Sequence, residues 1–201
     1  WLFNRDLSNA TPIEFNTDAA SIGAGSLYVQ PLDSTPAHKF IGEYFLFGDI
    51  ADLDEVTYDY QIGSGGSASD ANEFYLNVYA NYGESAPDNY YDCKYDVVPT
   101  VGSTGSFTTV TFDPNQSYPV TTRGTSPYTC PTVPAAMNFQ SAGSIIRMFA
   151  LNMGDTTAGD TGLDGYFDNV VVETKTDITT FDFDPDTTKP TVAIVSPAQA
   201  E

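Results

Sequence analysis

Tyr75, Asn77 and Tyr79 alternate with Phe74, Leu76, Val78 and Ala80. Successive side chains of a strand point to opposite faces, so two phenols and an amide share one face and the apolar residues take the other. That combination suits a sugar ring. Pyranose C–H patches pack on aromatic faces, and an amide offers hydroxyls both a donor and an acceptor. Arg147, in the apolar stretch 144–153, and Lys94 or Asp92, in 91–98, are the expected polar partners. The plainer alternative is a solvent-facing or loop-covered sheet in which Tyr serves as a good β-former. The chain has a single Trp, which counts against a flat platform for crystalline polysaccharide.

A second constellation is acidic. Asp155, Asp160 and Asp164 punctuate the loop DTTAGDTGLD, directly before the strand-like DGYFDNVVVE that carries Asp168. A carboxylate among aromatics and valines is costly unless something pairs with it. Calcium takes six to eight oxygens from carboxylates, carbonyls and water, so Asp168, Asp164 and Asp160 are the candidate ligands of a structural calcium. The alternative is that Asp168 accepts hydrogen bonds from backbone N–H groups of an adjacent loop. Asp182, Asp184 and Asp186 have the spacing of an EF-hand start, but its sixth and twelfth positions hold Thr187 and Ala193, which excludes that loop.

Catalytic motifs are lacking. The one histidine, His38, sits in a Pro-Ala-His-Lys turn and reads as solvated surface. No G-x-S-x-G elbow is present. With 27 Asp+Glu in the chain, close carboxylate pairs arise by accident. Only 7 Lys+Arg oppose them, for a formal net charge of -20. Such a chain repels nucleic acid, whose affinity comes from cations on phosphates, and anionic membrane surfaces. No apolar run approaches the roughly 18 residues of a membrane span. Cys93 and Cys130 sit in Thr- and Tyr-rich, Lys-poor sequence that reads as exported, and are expected to pair. No Cys/His cluster points to zinc.

The elements that must position these groups are strands. The segments 25–30, 40–47, 55–62, 73–80, 91–98, 106–112, 144–153 and 165–173 are rich in β-branched and aromatic residues and bounded by turn residues. A ninth is expected at 11–15. Short strands without helical periodicity between them indicate an all-β antiparallel sandwich. The close of DGYFDNVVVE, with Trp1 and Phe3 ahead of SIGAGSLYV, resembles jelly-roll modules of the carbohydrate-binding type. The resemblance covers about residues 1–173 and implies a jelly-roll sandwich of eight to nine strands, with Asp168 at the position that often ligates structural calcium.

Residues 176–201 read differently. KPTVAIVSP, 189–197, resembles the opening strand of a bacterial Ig-like repeat. The expected organisation is therefore a sandwich over 1–175, followed by a linker and either the first strand of a further module or a strand-pairing tail. The expected function is non-catalytic binding of a glycan outside the cell, secreted or at the surface, with calcium as a structural ion. The competing reading is a stalk, adhesin or filament subunit that assembles with neighbouring subunits through strand pairing.

Overall fold

The computed structural model describes residues 1–3, 11–33, 40–82, 91–124, 126, 128–139, 145–154 and 160–185. His38, Asp155, Asp186 and the segment 187–201 lie outside them.

Twelve strands are present among the described residues, in two sheets whose pairings are all antiparallel. Sheet I runs in the order β1 (Leu2–Phe3), β4 (Phe40–Asp49), β10 (Ile145–Met153), β6 (Phe74–Asn81), β7 (Cys93–Val97) and β9 (Val120–Thr122). Sheet II runs β2 (Ile13–Asn16), β3 (Ser26–Val29), β11 (Gly165–Thr174), β5 (Leu53–Ile62) and β8 (Thr108–Phe112). β12 (Ile178–Phe181) also pairs with β11. The chain crosses repeatedly between the two layers, which gives the jelly-roll sandwich.

Alternation fills the space between the sheets. Phe74, Leu76, Val78 and Ala80 from β6 meet Val56, Tyr58, Tyr60 and Ile62 from β5 in one core, with Phe40, Phe149 and Phe167. Buried phenols need partners. The Tyr58 hydroxyl donates to the Phe74 carbonyl at 2.7 Å and that of Tyr60 to the Val101 carbonyl at 2.6 Å. Burial pushes the Tyr60 phenol up to about 12. At one end, Trp1 packs on Tyr44, Phe181 and Phe183 at ring separations of 5.5–5.6 Å.

All nine segments read from sequence are strands. β1, β9 and β12 are additional, each only two to four residues long. β12 also moves a boundary. Ile178–Phe181 is paired with β11 and Phe183 is 6% exposed, so the sandwich continues past residue 175 to at least Phe183.

Cys93 of β7 and Cys130 form a disulfide across a sequence separation of 37. Closing a loop of that length stabilises a fold by about 4 kcal/mol in the chain-entropy treatment. The bond ties the Pro-rich segment after β8 to the edge of sheet I, where β9 adds to β7.

Candidate functional site on the outer face of sheet I

β6 lies between β10 and β7, and cross-strand register decides what surrounds its outward side chains. Tyr79 is flanked by Met148 and Lys94, Asn77 by Ala150 and Asp96, and Tyr75 by Asn152. The polar members are linked. Asn152 Nδ2 donates to Asn77 Oδ1 at 3.1 Å and to the Ala150 carbonyl at 2.8 Å. Asn77 Nδ2 donates to Asp96 Oδ1 at 2.6 Å, and the same oxygen takes Lys94 Nζ at 3.1 Å. Asn77 and Asn152 are only 3% and 1% exposed, while Tyr75 and Tyr79 stand partly exposed on either side. About 7 Å separates side chains two residues apart on a strand, so the two phenols stand on either side of the buried amide row.

Arg147 is the extra residue of a β-bulge between Ile146 and Met148, beside Tyr79. A bulge re-aims side chains locally. The Arg147 side chain is partly exposed, and its Nε is buried with no hydrogen-bond partner among the described residues. Tyr75, Asn77, Tyr79, Lys94 and Arg147 thus fall on three adjacent strands of one sheet.

Two neighbours escape sequence reasoning. Tyr91 stands edge-on to Tyr79 at 5.0 Å, and the Arg123 guanidinium lies 5.4 Å from the Tyr91 ring centre. Period two counted back from the outward Lys94 would send Tyr91 to the core. A bend at Asp92, ahead of the first residue of β7, breaks that parity. Asp92 itself is fully buried, its Oδ2 accepting from the Tyr82 N–H at 2.7 Å.

The acidic candidates lie on the other sheet. Asp168 is 0% exposed. Its Oδ2 accepts from the backbone N–H groups of Ser21 at 2.8 Å and Ile22 at 3.1 Å, and its Oδ1 from Asn169 at 2.7 Å and Phe183 at 3.4 Å. The cause is local. β3 pairs with β11 only up to Phe167 and β12 pairs with it only from Val170, leaving a gap filled by the 21–22 loop. Asn169 turns through φ 46 at that gap, a left-handed conformation that Asn tolerates. Asp59, opposite Asp168 on β5, accepts from Ser21 Oγ, from Asn169 Nδ2 at 3.0 Å and from Thr109 Oγ1 at 2.5 Å.

Asp164 is occupied separately. Its Oδ1 takes the Gly65 N–H at 2.7 Å and its Oδ2 the Tyr28 hydroxyl at 2.9 Å. Asp160 closes a turn through its carbonyl, which accepts from Leu163 N–H. The structure therefore does not bring Asp160, Asp164 and Asp168 together. The oxygens of Asp164 and Asp168 face N–H and O–H donors, a setting that does not fit a cation held by these three. Among the described residues no three acidic or imidazole groups converge as a metal cage. Asp182 Oδ2 and Asp184 Oδ2 both point to where a Cβ of Gly23 would sit. Partial burial, then the charges of Asp184 and Asp168, push the Asp182 carboxyl above its ordinary range.

No helix among the described residues is long and apolar enough to cross a membrane. No protein-family model matches the chain, and no curated protein matches it. Solved structures do. One is the family 11 carbohydrate-binding module of a cellulosomal cellulase of Clostridium thermocellum, at TM-score 0.48 and 12% identity, covering 82% of this chain and 81% of that one. A protein of Bacteroides thetaiotaomicron described as sugar-binding matches at TM-score 0.45 and 9% identity, with 86% of each chain covered. A carbohydrate-binding module of the β-sandwich superfamily, described for its promiscuous specificity, matches at TM-score 0.41 and 13% identity over 77% of this chain and 50% of that one. At these identities the likeness is one of backbone course and carries no residue roles across.

Proposed function

We propose that the chain is a non-catalytic carbohydrate-binding module whose glycan lies on the outer face of sheet I. The observation that carries this reading is the pair Tyr75 and Tyr79 on either side of the linked row Asn152–Asn77–Asp96–Lys94, which we read as a slot for a sugar ring. The rings offer faces to C–H patches, and the row offers donors and acceptors that can exchange partners with hydroxyls. Arg147 and Arg123 add guanidinium donors at the Tyr79 end.

The geometry of the acids supports binding over cleavage. Asp96 and Glu43 lie in one cross-strand row, separated by Asn77 and Ala150. Three strand spacings put them roughly 14 Å apart, beyond the ~5–9.5 Å between the carboxyls of glycoside hydrolases. Asp96 is moreover engaged by Asn77 and Lys94. An extracellular setting is supported by the disulfide, a bond typical of oxidising compartments. Calcium enters the proposal as a structural ion beside Asp182 and Asp184, and a lower melting temperature on chelation is its test, since an ion bound only by the native state stabilises that state.

The function is tested by screening the chain, in calcium and in chelator, on an array of plant, bacterial and animal glycans. Saturable binding to at least one neutral polysaccharide is expected. An array without a saturable ligand in either buffer would leave the sandwich without this role.

A further inference from the structure

A cleft of about 500 Å³ opens between the two sheets at the β7–β8 side of the sandwich. It is lined by Asp96 at the end of β7 and Val98 just after it, by residues 108–111 of β8, and by Ser117 and Tyr118, while the Thr109 hydroxyl is itself donated to Asp59 on the outer face of sheet II. The volume falls in the range of ligand sites. The lining mixes hydroxyls with small apolar groups, and Asp96 is its one charged residue. Val98 and Val101 are 46% and 71% exposed there.

The walls are fixed. The crossover after β7 is tied to the core by Tyr60, whose hydroxyl holds the Val101 carbonyl, and by the Ile62 N–H on the Ser103 carbonyl at 3.0 Å. Tyr118 stacks on Phe112 at 4.9 Å and its hydroxyl accepts from the Asp113 N–H at 2.8 Å. β8 pairs only with β5 among the described strands, so its other edge presents backbone N–H and C=O groups that a hydroxylated ligand can use.

The cleft is continuous with the face described above. Asp96 is the shared residue: it lines the cleft and also ends the amide row through Asn77. β9 pairs with β7 over Cys93–Tyr95, and the Asp96 N–H donates to the Pro119 carbonyl at 3.0 Å, so the segment ahead of β9 continues the edge of sheet I alongside Asp96. A linear chain lying across the strands over Asn77 reaches the cleft by passing over Asp96 and Pro119, both of which line it.

We infer that the cleft is a second subsite for the same glycan, so that the module binds an internal stretch of a linear, neutral oligosaccharide running from the Tyr75–Tyr79 slot over Asp96 and Pro119 to the edge of β8. This rests on the carbohydrate-binding reading and adds a ligand length and direction to it. A neutral chain is favoured because the cleft holds no cation, and a net charge of -20 opposes a polyanion.

The test is titration calorimetry with β-1,4-linked glucose, xylose and mannose oligosaccharides of two to six residues, on the parent chain and on Thr111→Arg and Val98→Arg. Both positions are exposed and line the cleft, and thermal melting of each variant checks the fold. The expected result is at least tenfold tighter binding of the hexasaccharide than of the trisaccharide by the parent. Both variants should lose that gain while keeping the trisaccharide affinity within twofold. A parent that binds tri- and hexasaccharide equally, or variants that keep the gain, overturn the second subsite and leave the face intact. A parent that binds no member of the panel overturns the face and the subsite together.

Discussion

Each sheet presents two tyrosines and an amide on its outer surface, and the two sets differ in how the rings are placed. On sheet II, Tyr28 and Tyr166 lie opposite one another with Gln61 beside them. Their rings meet at 4.8 Å and 33°, and the Tyr28 hydroxyl is committed to Asp164 at 2.9 Å. Burial, then acids including Asp164 and Glu14, push both phenols above the ordinary range. On sheet I, Tyr75 and Tyr79 follow each other along one strand, so Asn77 lies between them and keeps them apart. Similar residues therefore give a pair that meets itself on one face and a pair split by an amide on the other, where Tyr79 meets Tyr91 instead. Composition is shared; placement along a strand or across strands makes the difference.

The buried polar groups repeat the contrast. Asp168 is locked by four backbone N–H donors from three separate segments. Asn77 is held by side chains of its own face. The sheet II groups should therefore act on stability and the sheet I groups on binding. Asp168→Ala should have the largest effect. Orphaned buried donors cost about 1–3 kcal/mol each, and partial rehydration leaves a loss of about 4 kcal/mol or more, read from urea unfolding. A loss under about 1 kcal/mol would show that the gap between β3 and β12 closes without the carboxylate.

Replacing Cys93 and Cys130 together by Ser is expected to cost about 3–4 kcal/mol, seen as a lower melting temperature under non-reducing conditions. Glycan affinity of the folded variant should be retained, because Cys93 belongs to the core side of β7 while Lys94 belongs to the outer side. Asn77→Ala should cost only about 1–2 kcal/mol of stability yet weaken glycan binding, the reverse of the Asp168 pattern. Equal affinity of parent and Asn77→Ala would remove the amide row from the site.

The smallest effect concerns Asp182. Its raised carboxyl pKa means that the protonated form favours the fold. That contribution is complete below the ordinary carboxylate pKa and is lost as pH rises through the raised folded value. Ionised at neutral pH, the group costs stability, so Asp182→Asn in chelator should melt about 1 °C above the parent at pH 7. The difference should shrink toward pH 3. Excess calcium should invert the order if the ion sits beside Asp182 and Asp184; an unchanged order would remove calcium from that place.

Runs of β-branched and aromatic residues between turn residues made nine strands legible, and period two made the shared face of Tyr75, Asn77 and Tyr79 legible, because a strand buried on one side forces alternation. Arg147 was legible as a strand residue, but not as the bulge residue beside Tyr79, since a bulge leaves no period of its own. Tyr91 was hidden by the bend at Asp92. Asp168 advertised itself as an acid in an apolar strand. What answers it comes from Ser21 and Ile22, 147 and 146 residues away, and from the join of two short strands on one edge of β11. Such long-range donors are set by topology, which spacing alone does not encode.

The slot on sheet I is tested most directly by paired tyrosine variants titrated with the best glycan from the array. Tyr79→Ala and Tyr75→Ala should each weaken binding by about 1–3 kcal/mol with little change in melting temperature. Tyr166→Ala, on the self-stacked face, should leave affinity unchanged. The opposite pattern, with affinity lost in Tyr166→Ala and kept in both sheet I variants, would place the glycan on the other side of the sandwich and contradict the account.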